Sequence, residues 1–256
     1  MAAVRAGRGF TLIELAVALL VVALMAAGMA LPLAAQVQLR RQDETRRLLE
    51  DARDALMGFA AANGRLPCPA TAQSSGLESF SPAGSPANGD CASFYGGFLP
   101  AATLGLAPLD SEGFLRDAWP TPRNRVRYAV FGGGSAINGV ANPLTRTNGL
   151  QAATLPALGN AAHFLFICSS GAQATASGCP AASQLTRRAA FVVFSVGPNA
   201  VSDPPPASDE ARNLDGDIVF VHREASTAPG VEFDDVLLWT PIHLVVNRLL
   251  AAGRLP

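Results

Sequence analysis

The stretch RGFTLIELAVALLVVALMAAGMALPLAA occupies residues 8–35. Between Phe10 and Leu31 it holds 22 residues and a single charge, Glu14. A helix that crosses a bilayer needs about 20 apolar residues, so this run is long enough to span. An acid inside such a helix costs about 2.5–3.5 kcal/mol at its centre and is usually retained for a function. Glu14 lies near the front instead, one turn beyond Phe10 and on the same helix face. There the helix dipole favours a negative charge. In a plain anchor, Glu14 would simply snorkel to the headgroups. A secretory signal peptide is the competing reading, with Arg5 and Arg8 as its basic region and Gly28-Met29-Ala30 as its cleavage site. The internal acid and the length of the apolar run argue against it.

The segment Gly9-Phe10-Thr11-Leu12-Ile13-Glu14-Leu15 resembles the leader signal of type IV pilins and type II secretion pseudopilins. The resemblance implies a leader over 1–9, cut between Gly9 and Phe10 by a membrane prepilin peptidase, and N-methylation of Phe10. It implies that Glu14, the fifth mature residue, pairs with the N-terminal amine of a neighbouring subunit during assembly, which removes the cost of a lone charge in lipid. It also implies a cytoplasmic N-terminus, a periplasmic head and an inner-membrane assembly platform as partner. Counting basic residues does not decide the orientation, because Arg40, Arg41, Arg46 and Arg47 follow the apolar run and only basic residues weigh strongly.

After Pro32, which falls where that family often bends its helix, the chain continues as a helical pattern to Asn63-Gly64. Leu48, Ala52, Ala55, Leu56 and Phe59 recur at helical spacing, and charged residues from Arg46 to Asp54 fill the other side. A helix from Phe10 to Ala62 would be about 80 Å long. The expected organisation is a leader at 1–9, a transmembrane and filament-core helix at 10–35, an amphipathic half at 36–64 and a head at 65–256. Five candidate strands follow, at Arg125–Phe131, His163–Ser169, Ala189–Val196, Asp217–Val221 and Asp235–Trp239, each rich in β-branched or aromatic residues and bounded by turn formers. Long polar loops separate them, over 69–95, 132–160, 171–187 and 198–214. A short amphipathic helix closes the chain at about Ile242 to Ala252. The expected fold is α+β: a long N-terminal helix, membrane-spanning in its first half, packed on an antiparallel sheet.

The chain has 256 residues and a net charge of −1, with 19 basic side chains, all arginine. So near-neutral a chain offers no broad basic face for nucleic acid. Four cysteines, Cys68, Cys91, Cys168 and Cys179, lack metal-type spacing. Behind an apolar N-terminus they point to an oxidising compartment. Pairing of near neighbours, Cys68 with Cys91 and Cys168 with Cys179, is the expected arrangement, although three connectivities are open.

Asp117-Ala118-Trp119-Pro120 with Tyr128 resembles a structural segment of pseudopilin heads, with proline in place of glycine. Ser195-Val196-Gly197-Pro198-Asn199 is similar to a turn of the major pseudopilin head, and Asp215-Gly216-Asp217 to its later acidic motif. In that family the loop between these motifs binds calcium; here Asn199 replaces the aspartate, so a solvated loop ending in a tight Asp-Gly turn is expected, with calcium on Asp215 and Asp217 as the alternative that the resemblance implies. No other cofactor is indicated. No nucleophile elbow, P-loop lysine or metal-spaced histidine set is present, and His163, His222 and His243 are scattered. An enzyme is not expected. The resemblance implies a structural subunit, a minor pilin or pseudopilin that rests in membrane lipid before joining other subunits in a periplasmic or extracellular filament. The alternative is a binding module, an adhesin or substrate receptor displayed on a pilin stem.

Overall fold

The computed structural model describes residues 11–121, 124–133, 136–199 and 208–255, with backbone only over 26–35. The chain divides into two compact units, Met1–Asp43 and Glu44–Pro256. Helix α1, Leu12–Asn63, runs without a break through Pro32. Its first unit exposes large apolar side chains on every side, from Leu12 at 88% and Ile13 at 72% to Leu24 at 65% and Met25 at 64%. Among the described residues no helix is long and apolar enough to cross a membrane. The described residues therefore do not supply the span expected over 10–35, a range that includes Phe10 and the side chains of 26–35.

In the second unit α1 turns amphipathic. Thr45, Leu49, Ala52, Leu56 and Ala60 are fully buried. The buried stripe is thus centred slightly off the one expected: Ala55 and Phe59 are only half-buried, and Leu49 and Ala60 take the middle. The small side chains at Ala52 and Ala60 let the helix sit close to the head. The helix stops as the sequence indicates. Gly64 adopts a left-handed conformation at φ 66° and donates to the Ala60 carbonyl at 2.8 Å, a backbone state that glycine enters without a Cβ penalty.

The head contains β1 (Gly97–Phe98), α2 (Ala101–Leu104), β2 (Arg127–Val130), β3 (Ala136–Ile137), β4 (Val140–Ala141), α3 (Gly149–Ala153) and α4 (Leu155–Asn160). Then come β5 (Leu165–Cys168), β6 (Gln184–Ser195), α5 (Asp209–Leu214), β7 (Val219–Val221), β8 (Val236–Pro241) and α6 (Ile242–Ala251). Strand β6 organises the main sheet, whose order is β1-β2-β6-β5-β7 with β8 also on β6. Phe191 to Phe194 lie between β2 and β8, and Ala189 lies between β5 and β8. So β2 and β5 run end to end along one edge of β6, and β8 runs along the other. The burial of β6 follows from this. Its first half alternates between exposed and half-buried, and from Ala189 to Ser195 every residue is buried, as in a central strand covered on both faces.

The fold class is the α+β one expected, and all five expected strands are present, three with trimmed ends, while β6 starts five residues earlier, inside the stretch 171–187 expected as loop, and β8 runs two residues further, to Pro241. The antiparallel expectation needs one correction: β5 and β7 are parallel, with Phe166 opposite Val219 and Cys168 opposite Val221. Strand β6 follows β5 antiparallel, and the chain then returns through the long connection carrying α5. Strand β7 reverses against β6 as β6 does against β5, and the connection carries the chain past β5 to its far edge, so β7 runs the same way as β5. The stretch 132–160, expected as loop, holds the β3–β4 hairpin, α3 and α4. Helix α6 matches its expected position and buries Ile242, Val245 and Leu249.

Candidate functional site

The processing residues Gly9 and Phe10 lie outside the described residues. Glu14 is described, and its surroundings were not anticipated. Thr11 precedes the first helical residue, and its carbonyl accepts from Leu15 N at 3.1 Å. The Thr11 hydroxyl accepts from Glu14 N at 3.3 Å, and Glu14 Oε2 accepts from Thr11 N at 2.9 Å and from the Thr11 hydroxyl at 2.8 Å. This is a reciprocal capping box: the threonine and the glutamate satisfy each other's open amides at the helix start. The pattern Thr-x-x-Glu before an apolar run carries that signal in the sequence. Thr11 is thus the residue that reading missed. It holds the carboxylate at the tip of α1, against its own chain.

In the head, the Asp117-Ala118-Trp119 segment links the helix to the sheet. Ala118 N donates to the buried Thr45 hydroxyl of α1 at 3.2 Å. Asp117 Oδ1 accepts from Trp119 N at 2.9 Å, and Asp117 Oδ2 accepts from the Ser195 hydroxyl at 2.5 Å. The Ser195 hydroxyl in turn accepts from Gly197 N at 3.1 Å, and the Gly197 carbonyl accepts from Asn124 Nδ2 at 2.6 Å. Two of the three motifs likened to pseudopilin heads, Asp117–Pro120 and Ser195–Asn199, are therefore wired to each other and serve architecture.

The cysteines pair as expected, Cys68 with Cys91 and Cys168 with Cys179. His163 packs on Phe131 and Phe166, and His222 packs edge-on against Trp239.

The acidic residues regroup. Asp215 and Asp217 do not join the other carboxylates. Asp215 pairs with Arg212 at 2.8 Å and Asp217 pairs with the same guanidinium at 3.2 Å. Their remaining oxygens accept from the Asp217 and Val219 amides. The calcium ligands that the resemblance implies thus already have an arginine partner. Among the described residues, the group with metal-type spacing is Glu210, Asp234 and Asp235, whose carboxylate oxygens lie within 4.8 Å of one another. Glu210 and Asp235 are buried. Asn199 Nδ2 donates to both Glu210 oxygens, and Asp234 N donates to Glu210 Oε1 at 2.9 Å. Burial, with Glu210 close by, pushes the Asp234 carboxyl up to about 7. Burial also pushes Asp235 up to about 8, although Asn213 donates to it at 2.7 Å. Buried like charges cannot all ionise freely. The group can hold protons near neutral pH, which opposes cation binding because metal ligands must be deprotonated. Glu210 lies in α5 and Asp234 and Asp235 just before β8, so only the fold joins them.

Residues 5–30 match the family model of the prokaryotic N-terminal methylation motif, the signal carried by type IV pilins and pseudopilins. No curated protein matches the chain, and no solved structure matches it.

Proposed function

We propose that this chain is a filament subunit, a minor pilin or pseudopilin, assembled through α1. The observation that carries the reading is the methylation motif at residues 5–30, with Glu14 five residues beyond Gly9. Prepilin peptidase would cut between Gly9 and Phe10, and Phe10 would be N-methylated. The apolar side chains exposed along the first half of α1 would meet lipid before assembly and other subunits after it. The Glu14 carboxylate, held by Thr11 in the free chain, would exchange that partner for the amine of a neighbouring subunit. The head carries two disulfides, which suits the periplasmic side of an inner membrane and then the outside of a filament. The reading is of a structural subunit rather than an enzyme.

Intact mass and N-terminal sequencing of membrane-extracted protein test this directly. The expected chain begins at N-methyl-Phe10. A start near Leu31, or an uncut Met1 with the peptidase present, overturns the proposal. Glu14→Ala should leave cleavage in place and lower recovery in sheared filaments.

A further inference from the structure

Four Asn-Gly steps occur in the chain, at Asn63-Gly64, Asn88-Gly89, Asn138-Gly139 and Asn148-Gly149. An asparagine followed by glycine can cyclise, because the small glycine leaves its amide nitrogen open to attack the asparagine side chain. Whether it does so in a folded protein depends on what holds the two groups. In three of these steps the glycine amide is already donating: Gly64 N to Ala60 O at 2.8 Å, Gly89 N to Ser85 O at 2.8 Å and Gly149 N to Arg146 O at 2.9 Å. Two of those asparagine side chains are also held. Asn63 Nδ2 donates to Phe59 O at 2.9 Å. Asn88 accepts from Ser85 N and Asp90 N and donates to Ala83 O. The third, Asn148, packs against Gly64, and Gly149 is closed in by Pro143.

Asn138-Gly139 differs on each count. It forms the two-residue turn of the β3–β4 hairpin, with Ile137 opposite Val140. Both turn residues have positive φ, 52° and 74°, as the favoured hairpin turn requires. Both are exposed, and open space surrounds Gly139. Among the described residues, neither the Asn138 side chain nor the Gly139 amide has a hydrogen-bond partner. The hairpin strands are two residues each, too short for independent stability, so the turn can open into the geometry that cyclisation needs.

We propose that Asn138 is a spontaneous deamidation site of this protein, with water as the only co-reactant. The Gly139 nitrogen bonds to the Asn138 side-chain carbonyl carbon, the bond from that carbon to Nδ2 breaks, and ammonia leaves carrying the Gly139 proton. Water then opens the cyclic imide at either carbonyl, giving aspartate or isoaspartate. No electron transfer is involved. Either product adds a negative charge at the hairpin tip. Asn138 lines a cleft of about 560 Å³ with Ile137, Asn160 and His163, so the charge enters that cleft. The isoaspartate also lengthens the backbone by one carbon and disturbs the pairing of Ile137 with Val140.

The test is to age the folded full-length protein in detergent at mildly alkaline pH and map peptides by mass spectrometry. Deamidation at Asn138 should run severalfold ahead of that at Asn63, Asn88 and Asn148. In denaturant the four should converge, and Asn138→Gln should remove the leading product. Another step leading in the folded protein, equal rates at all four, or no conversion at Asn138 while the unfolded chain converts, would each overturn the proposal.

Discussion

Arg65 and Glu78 meet through two parallel hydrogen bonds, Nη1 to Oε2 at 2.8 Å and Nη2 to Oε1 at 2.7 Å. Their side chains are 7% and 17% exposed. Glu78 Oε2 also accepts from Cys68 N at 3.2 Å, and the guanidinium lies over the rings of Phe59 and Phe80. The pair therefore ties the end of α1 to the loop closed by Cys68 and Cys91. Removing one partner leaves the other charge buried alone, which costs about 3–5 kcal/mol. Glu78→Ala should lower the free energy of unfolding by that order, read from urea denaturation. Arg65→Lys should also destabilise, because an ammonium cannot reproduce the two-pronged contact. Wild-type stability in both variants would refute this account.

Arg254 caps α1 from the other end of the chain. Its Nε donates to the Ala61 carbonyl at 3.0 Å, and Nη2 donates to the Ala62 carbonyl. A cation at a helix C-terminus answers both the open carbonyls and the dipole. Arg254→Ala should cost about 1 kcal/mol and speed hydrogen exchange in the last turn of α1, read by mass spectrometry.

Asn213 takes the place of a strand beside β7. Its side chain accepts from Val221 N at 2.7 Å and donates to Val221 O at 3.1 Å. Both residues are buried, at 2% and 0% exposure. Asn213→Ala leaves two backbone groups unpaired and should cost about 2–3 kcal/mol. Urea unfolding reads the loss.

The two disulfides close loops with separations of 23 and 11 residues. Loop-closure entropy gives each about 3 kcal/mol, slightly more for the longer loop. Reduction should lower the melting temperature of the head, and the paired change Cys68→Ala with Cys91→Ala should lower it at least as much as the corresponding change at Cys168 and Cys179.

The pH dependence of stability tests the carboxylate group. Asp234 and Asp235 are raised to about 7 and about 8 in the folded chain. Their ordinary value is about 3.9. The folded state thus binds protons more tightly than the unfolded state, so their contribution is fully present below about pH 4 and is lost as pH rises through 7 to 8. Glu210, Glu232 and Arg127 face these groups and shape the titration. Over pH 5 to 8 the melting temperature should fall, and Asp235→Asn should flatten the fall. An unchanged slope in that variant would count against the assignment.

Much of this protein was legible in one dimension. Helix α1, its glycine stop, five of the six strands of the main sheet and α6 follow from periodicity, turn residues and local spacing, whereas the cysteine spacing left three connectivities open. Those signals act over a few residues, where backbone sterics and side-chain period decide the outcome. The methylation signal is equally local, as is the capping box of Thr11 with Glu14. What only the tertiary structure decided lies between residues far apart in sequence. The β5–β7 pairing is parallel because the chain reverses at β6 and again at β7, and packing places β7 on the edge of β5 that β6 leaves open. The buried stripe of α1 is centred on Leu49 and Ala60 because the sheet sets which side is covered. Glu210 converges with Asp234 and Asp235, 24 and 25 residues away, because packing brings α5 beside the residues that lead into β8. Local pattern specifies the elements, and burial decides which polar groups must answer one another.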